Sequence, residues 1–305
     1  LSAIAATSPY VAAKSMSVKT APLIKFGLLT DIQYADCKPS PGRDYRQSIA
    51  KLKTAVADLK KENLPFSLHL GDLIDRKFSS FATVLPLLKP LGHPVHHIMG
   101  NHDFSVKDSN KSKVRETMEM PADHYAFTHS GVRFVMLDTN DLSTYKFPQD
   151  SPKDKELETH RKEAVTQYAD KPEIKRRYAT YNGGASEQQL EWLDQELQTA
   201  QKEKQPVFVC GHHPVISSNI GHLAWNCDEI VAVIEKYSCV RAYFNGHHHA
   251  GGQHIHKGIP FLTMKSILQE KDINAYSTVE LHADKLVING RGREESREIA
   301  IKPMV

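Results

Sequence analysis

The chain has 305 residues, of which 40% are hydrophobic and 25% charged, with a formal net charge of +3. A chain of that size fills an ample core without disulfide or metal staples. The charge is too small to argue for a nucleic-acid surface, and no stretch reaches the ~18 consecutive apolar residues that span a bilayer.

Residues 1–22 read as a leader. LSAIAATSPYVAA is rich in small residues and resembles the end of an export signal, with Val11-Ala12-Ala13 as a cleavage-like site. A disordered leader is an equal alternative, which leaves cytoplasmic and exported placements both open. Residues 23–305 read as one α/β domain.

Leu23 to Thr30 reads as a first buried strand ending at Asp31, and Tyr45 to Asn63 as an amphipathic helix with Ile49, Leu52, Val56 and Leu59 on one face. Residues 66–70 form a second strand that stops at Gly71-Asp72. Ser79 to Leu88 is a helix ended by Pro90 and Gly92, and His93 to Met99 a strand leading into Gly100-Asn101-His102-Asp103. Tyr125 to Thr128 and Val132 to Asp138 pair across Ser130-Gly131. Residues 141–180 are dense in charge and weak in period, as expected of an inserted cap over the core or of a solvated helical excursion. Ser186 starts a helix with Leu190, Leu193 and Leu197 on one face. Pro206 to Cys210 is a strand ending at Gly211-His212, Asn226 to Lys236 a helix, and Val240 to Phe244 a strand ending at Gly246-His247. From Gly252 the tail alternates short strands with turns, as an antiparallel sheet does.

Four cysteines, at 37, 210, 227 and 239, show no CxxC spacing, which argues against a zinc ribbon or a thioredoxin-type motif. Seventeen histidines is a high count, and they cluster. Five strand ends deliver candidate metal ligands: Asp31-Ile32-Gln33, Gly71-Asp72, Gly100-Asn101-His102, Gly211-His212 and Gly246-His247-His248-His249. Ligands collect at the carboxyl ends of strands in open α/β sheets. Carboxylate, amide and imidazole together suit manganese, iron or zinc better than calcium. An extended segment at 247–249 would put His247 and His249 on the same side. His96, His97, His213, His248, His254 and His256 read as ordinary core or surface histidines.

The order of these five motifs resembles that of the calcineurin-like metallophosphoesterases. The resemblance runs from Ile24 to Arg293 and implies a four-layer αββα sandwich of two mixed sheets flanked by helices. It implies one divalent ion on Asp31, Gln33, Asp72 and His249, and a second on Asp72, Asn101, His212 and His247. His102 would be the proton donor, held by Asp75. Gln33 stands where most members have His, and a neutral amide oxygen favours manganese or magnesium over zinc. Two such ions ~3.5–4 Å apart activate a shared water for in-line attack of a bridging hydroxide on phosphorus.

DIQYAD at 31–36, YNGGASEQQLEWLD at 181–194, LAWN at 223–226, GHHHAGG at 246–252 and GRGR at 290–293 resemble the manganese-dependent ADP-ribose/CDP-alcohol diphosphatases in particular. The implied reaction is hydrolysis of a diphosphate bond in a small nucleotide, by a monomer with two divalent ions, manganese first and iron, magnesium or zinc as alternatives. Tyr34 and Tyr181 are candidates to stack on the base, Arg43 and Arg46 to bind phosphate, and His222 to line the pocket. The competing readings are a phosphodiesterase acting on cyclic nucleotides or other diesters, a protein phosphatase, and a binding scaffold without metals. Neither nucleic acid nor a membrane is an expected partner.

Overall fold

The structure, a computed structural model, describes residues 21–302. The leader-like segment up to residue 20 lies outside the described residues. In chain order the elements are β1 (Ile24–Leu29), α1 (Ser48–Leu59), β2 (Ser67–His69), α2 (Ser80–Leu88), β3 (Val95–His97), α3 (Asp108–Lys111), α4 (Val114–Thr117), β4 (Tyr125–His129) and β5 (Val132–Met136). They continue with α5 (Pro152–Gln167), α6 (Pro172–Lys175), α7 (Glu187–Lys202), β6 (Val207–Cys210), α8 (Cys227–Ile234), β7 (Val240–Asn245), β8 (Gly252–His256), β9 (Ile259–Thr263), β10 (Ala275–Leu281), β11 (Lys285–Gly292) and β12 (Arg297–Ala300).

The strands form two six-stranded mixed sheets, ordered β12-β11-β10-β1-β2-β3 and β4-β5-β6-β7-β9-β8. In the first, β1, β2 and β3 are parallel, and β10 runs antiparallel to β1 with Ile24 opposite Leu281. In the second, β5, β6, β7 and β9 are parallel.

Alternation along the strands explains the layers. Phe26, Leu28, Phe66, Leu68 and Leu70 of the first sheet meet Phe134, Met136, Phe208, Cys210 and Phe244 of the second in one buried cluster. Phe26 sits at its centre, with the Phe66 and Phe134 ring centroids at 5.6 and 5.3 Å. The opposite faces are covered by helices. Leu52, Val56 and Leu59 of α1 and Phe81 and Val84 of α2 close over the first sheet. Leu193 and Leu197 of α7 and Ile230 and Ile234 of α8 close over Val207, Val209 and Tyr243 of the second. The result is the four-layer helix–sheet–sheet–helix order.

One helix begins later than its apolar pattern implies. The Tyr45 segment turns into α1 only at Ser48, whose hydroxyl donates back to the Tyr45 carbonyl at 2.6 Å. By contrast α7 starts where expected, with the Ser186 hydroxyl accepting from the Gln189 backbone N–H. The charged insert contains one substantial helix, α5, of which only Leu157 and Ala164 are buried. Among the described residues no helix is long and apolar enough to cross a membrane.

Candidate metal centre

The carboxyl ends of the parallel strands of both sheets converge at one edge. β1 delivers Asp31 and Gln33, β2 delivers Asp72, and β3 delivers Asn101 and His102. The facing sheet delivers His212 after β6 and His247 after β7. Asp31, Gln33, Asp72 and His247 have φ of 50, 44, 59 and 65°, in the left-handed region that non-glycine residues avoid. Such strain persists only where the surroundings over-determine it.

Those surroundings are explicit. The Asp31 N–H donates to the Gly71 carbonyl at 3.1 Å and the Gln33 N–H to the Asp72 carbonyl at 2.8 Å. Asp103, which sequence reasoning passed over, is fully buried and its carboxylate accepts from the N–H groups of Gly100, Asp72, Leu73 and Ile74 at 2.8 to 3.1 Å. It pins the β2 turn to the β3 turn. A Cβ on Gly100 would lie 2.1 Å from Asp72 Oδ1, so only glycine lets the turns approach this closely. His247 and His249 both reach the site, but not as alternate residues of an extended segment. Residues 247–250 bend and turn, with His247 left-handed, which corrects that expectation.

The seven expected ligand residues form one continuous cluster. Donor atoms of Asp31, Asp72 and His212 all lie within 4.8 Å of one another. His249 Nε2 is 3.4 Å from Asp31 Oδ1, and His212 Nε2 is 3.4 Å from Asp72 Oδ2. Asn101 Oδ1 faces His212 Nε2 at 3.1 Å and His247 Nδ1 at 3.0 Å. The Gln33 amide nitrogen donates to Asp72 Oδ2 at 2.7 Å and faces His249 Nε2 at 3.1 Å. Gln33 Oε1 and Asp31 Oδ1 are buried with no hydrogen-bond partner. Two orphaned oxygens in a cluster of carboxylates, amides and imidazoles fit a divalent cation. For Gln33 to offer its oxygen, the amide must turn over.

The charges agree with that fit. Burial opposes ionisation of Asp72, but His212 and His102 outweigh it and hold the carboxyl below its usual range. Burial pulls His212 down, yet Asp72 and Asp31 carry it up to about 9. A proton on His212 therefore sits where a cation would. Its Nδ1 donates to the Leu70 carbonyl at 2.8 Å, which turns Nε2 towards the cluster. Burial and the neighbouring His213 and His212 keep His247 neutral, well below the ordinary imidazole value.

Above the cluster lies an open cavity of about 510 Å³. Gln33, Asn101, His102, His247 and His249 form its floor, and Arg43, Tyr181 and His222 its wall. Asp75 Oδ1 is 3.1 Å from His102 Nδ1. Two expected contacts go elsewhere. Tyr34 is not among the lining residues and packs on the helix-side cluster of the first sheet, while Arg46 pairs with Asp36 at 2.6 Å on the exposed surface. Ser105, Tyr145 and Thr180 line the cavity without having been singled out, because they lie in segments with no period or motif. Tyr145 and Thr180 flank α5 near the two ends of the insert, whereas α5 itself does not line the cavity.

Known proteins of this shape and pattern exist. The calcineurin-like phosphoesterase family pattern matches residues 24–251. A protein of Oryza sativa subsp. japonica named manganese-dependent ADP-ribose/CDP-alcohol diphosphatase is 32% identical, over 92% of this chain and 95% of its own length. A Homo sapiens protein of the same name is 29% identical, over 93% of this chain and 94% of its own. A crystal structure of a dimetal phosphatase from Danio rerio superposes with a TM-score of 0.80 at 28% identity, covering 92% of this chain and all of the other. The two-sheet sandwich, the ligand cluster at its strand ends and these matches agree, and the chain belongs to the calcineurin-like phosphoesterase family.

Proposed function

We propose that this chain is a manganese-dependent diphosphatase, which hydrolyses the diphosphate bond of small nucleotides of the ADP-ribose and CDP-alcohol type. The observation that carries the reading is the union of the ligand cluster with a cavity walled by Arg43, Tyr181 and His222. The relatives at about 30% identity bear this name along nearly their whole length.

Asp31, Gln33, Asp72 and His249 would hold one divalent ion, and Asp72, Asn101, His212 and His247 the other. Bound divalent ions supply Lewis acidity, polarising phosphoryl oxygens and lowering the pKa of water. Asp72, which belongs to both groups, would be shared. His102 holds a proton for the leaving phosphate. Burial lowers its affinity for that proton, but attraction to Asp72 and the contact with Asp75 outweigh burial and raise its pKa. With Nδ1 facing Asp75, Nε2 is the ring atom left to donate into the cavity. The Arg43 guanidinium can grip a diphosphate oxygen. The Tyr181 ring is 45% exposed and offers a stacking face for a base, worth ~1–3 kcal/mol. All seven of the proposed ligand residues lie in a single chain, which is compatible with a monomer as the working unit.

The test is turnover of ADP-ribose and CDP-choline beside bis-p-nitrophenyl phosphate, in Mn²⁺ and then Mg²⁺. AMP or CMP release in Mn²⁺, faster than diester cleavage, is the expected result. Diester cleavage alone moves the substrate to a phosphodiester, and no turnover with either ion removes the enzyme reading.

A further inference from the structure

Asn182 opens the Asn182-Gly183-Gly184 turn before α7 and belongs to neither ligand group. It is fully buried. Its side-chain nitrogen donates to the Arg177 carbonyl at 2.9 Å and to the Gly221 carbonyl at 2.8 Å. Both amide hydrogens are thereby committed, which fixes the amide the right way round and leaves Oδ1 to face His247 Nε2 at 2.8 Å. The turn itself has little freedom, because a Cβ on Gly183 would lie 2.5 Å from the Thr139 carbonyl oxygen.

An amide oxygen only accepts, so His247 Nε2 carries the ring hydrogen and Nδ1 of the neutral ring is a bare lone pair. That lone pair stands 3.0 Å from Asn101 Oδ1, a second acceptor. Two acceptors at that distance repel unless a cation lies beside them. We infer that Asn182 is a positioning residue, which holds His247 with Nδ1 free for a divalent cation shared with Asn101. The same amide ties that imidazole to the end of the insert, through Arg177, and to the turn that carries His222, through Gly221. The inference rests on the metal reading given above.

The test needs no turnover. In metal-free protein with ¹⁵N-labelled histidine, long-range proton–nitrogen spectra report which ring nitrogen of His247 is protonated, the ring being identified by the signal lost in His247→Gln. Hydrogen on Nε2 is expected, and hydrogen on Nδ1 overturns the inference. Mn²⁺ binding is then counted by paramagnetic resonance for the wild type, Asn182→Ala and Asn182→Asp, with melting curves alongside. The alanine variant is expected to bind one of two ions ~10–100-fold more weakly. The aspartate variant, which still accepts from Nε2 but loses both donations to the Arg177 and Gly221 carbonyls, is expected to regain part of that affinity. Wild-type affinity for both ions in Asn182→Ala overturns the inference while the metal reading stands. A wild type that binds no Mn²⁺ removes both. If the alanine variant fails to fold, the wild-type spectrum decides.

Discussion

In the proposed mechanism Asp75 would work through His102 and not on the substrate. His102 lines the cavity and Asp75 does not, yet their Nδ1 and Oδ1 atoms are 3.1 Å apart. Once divalent ions offset the charge of Asp72, Asp75 is the remaining carboxylate that keeps the His102 proton in place. Losing it lowers the folded-state pKa, so the ring gives up its proton at lower pH. Asp75→Asn should move the alkaline limb of the kcat profile down by about one pH unit, the worth of one charge-assisted hydrogen bond. A limb that stays put in a pH–rate series refutes the acid role of His102. Gln33 is the second residue with a testable signature. Gln33→His replaces a neutral amide by imidazole, which should keep turnover and shift the preferred ion from manganese towards zinc. Ranking the two metals in chelator-treated protein checks it, and an unchanged order refutes this account of Gln33. The motif residues were legible because a glycine, or the end of an apolar run, marks each strand terminus. Asn182 and Asp103 were not, since an amide or carboxylate that serves backbone groups leaves no spacing to recognise. Tyr34 misled for a related reason. Its neighbours Asp31 and Gln33 turn to the cluster, while its own backbone bridges to Ile74 and its ring joins the core.

At the scale of elements, the insert is held by charge more than by apolar contact. Lys146, near its start, bonds both Asp123 and the buried Asp138 just after β5. Asp138 is 1% exposed and also accepts from the backbone N–H of Asn140, whose side-chain oxygen accepts a hydrogen bond from the Tyr145 hydroxyl. Lys146→Met should destabilise by about 3–5 kcal/mol, the cost of leaving one buried partner alone. Denaturant titration measures it, and adding Asp138→Asn should return part of the loss. A loss under ~1 kcal/mol would show that the pair is solvated. The core helices and strands were legible in sequence from their periods. The insert was not, because its residues answer to Asp123, Asp138 and Glu158 and not to a hydrophobic face.

For the whole molecule, ligands from both sheets make the cations cross-links between them. A chelator should therefore lower thermal stability as well as activity. At a free ion concentration 100 times Kd, binding to the native state contributes about 2.7 kcal/mol, or roughly 4 °C in melting temperature for a chain of this length. Calorimetry with and without EDTA tests this, and identical curves would place the ions outside the fold. Acid acts on the same stability through a separate pair. His97 Nδ1 lies 3.2 Å from His69 Nδ1, and burial holds His97 down at about 4. Between that value and the unfolded 6.5 the unfolded chain binds the extra proton, so stability falls as pH drops through this window, by about 1.4 kcal/mol per pKa unit.

The pairing of β1 with β10 sets a timetable for the chain. β1 is made well before β10, with Ile24 finally opposite Leu281. Until the carboxyl-terminal hairpins emerge from the ribosome, β1 is an open sheet edge carrying Phe26 and Leu28, and such edges invite pairing with other chains. A nascent chain cut short before β10 keeps every strand end that bears a candidate ligand, yet lacks half of the sheet on which three of them stand. Synthesis of β10 is what covers that edge, whether or not metal has arrived.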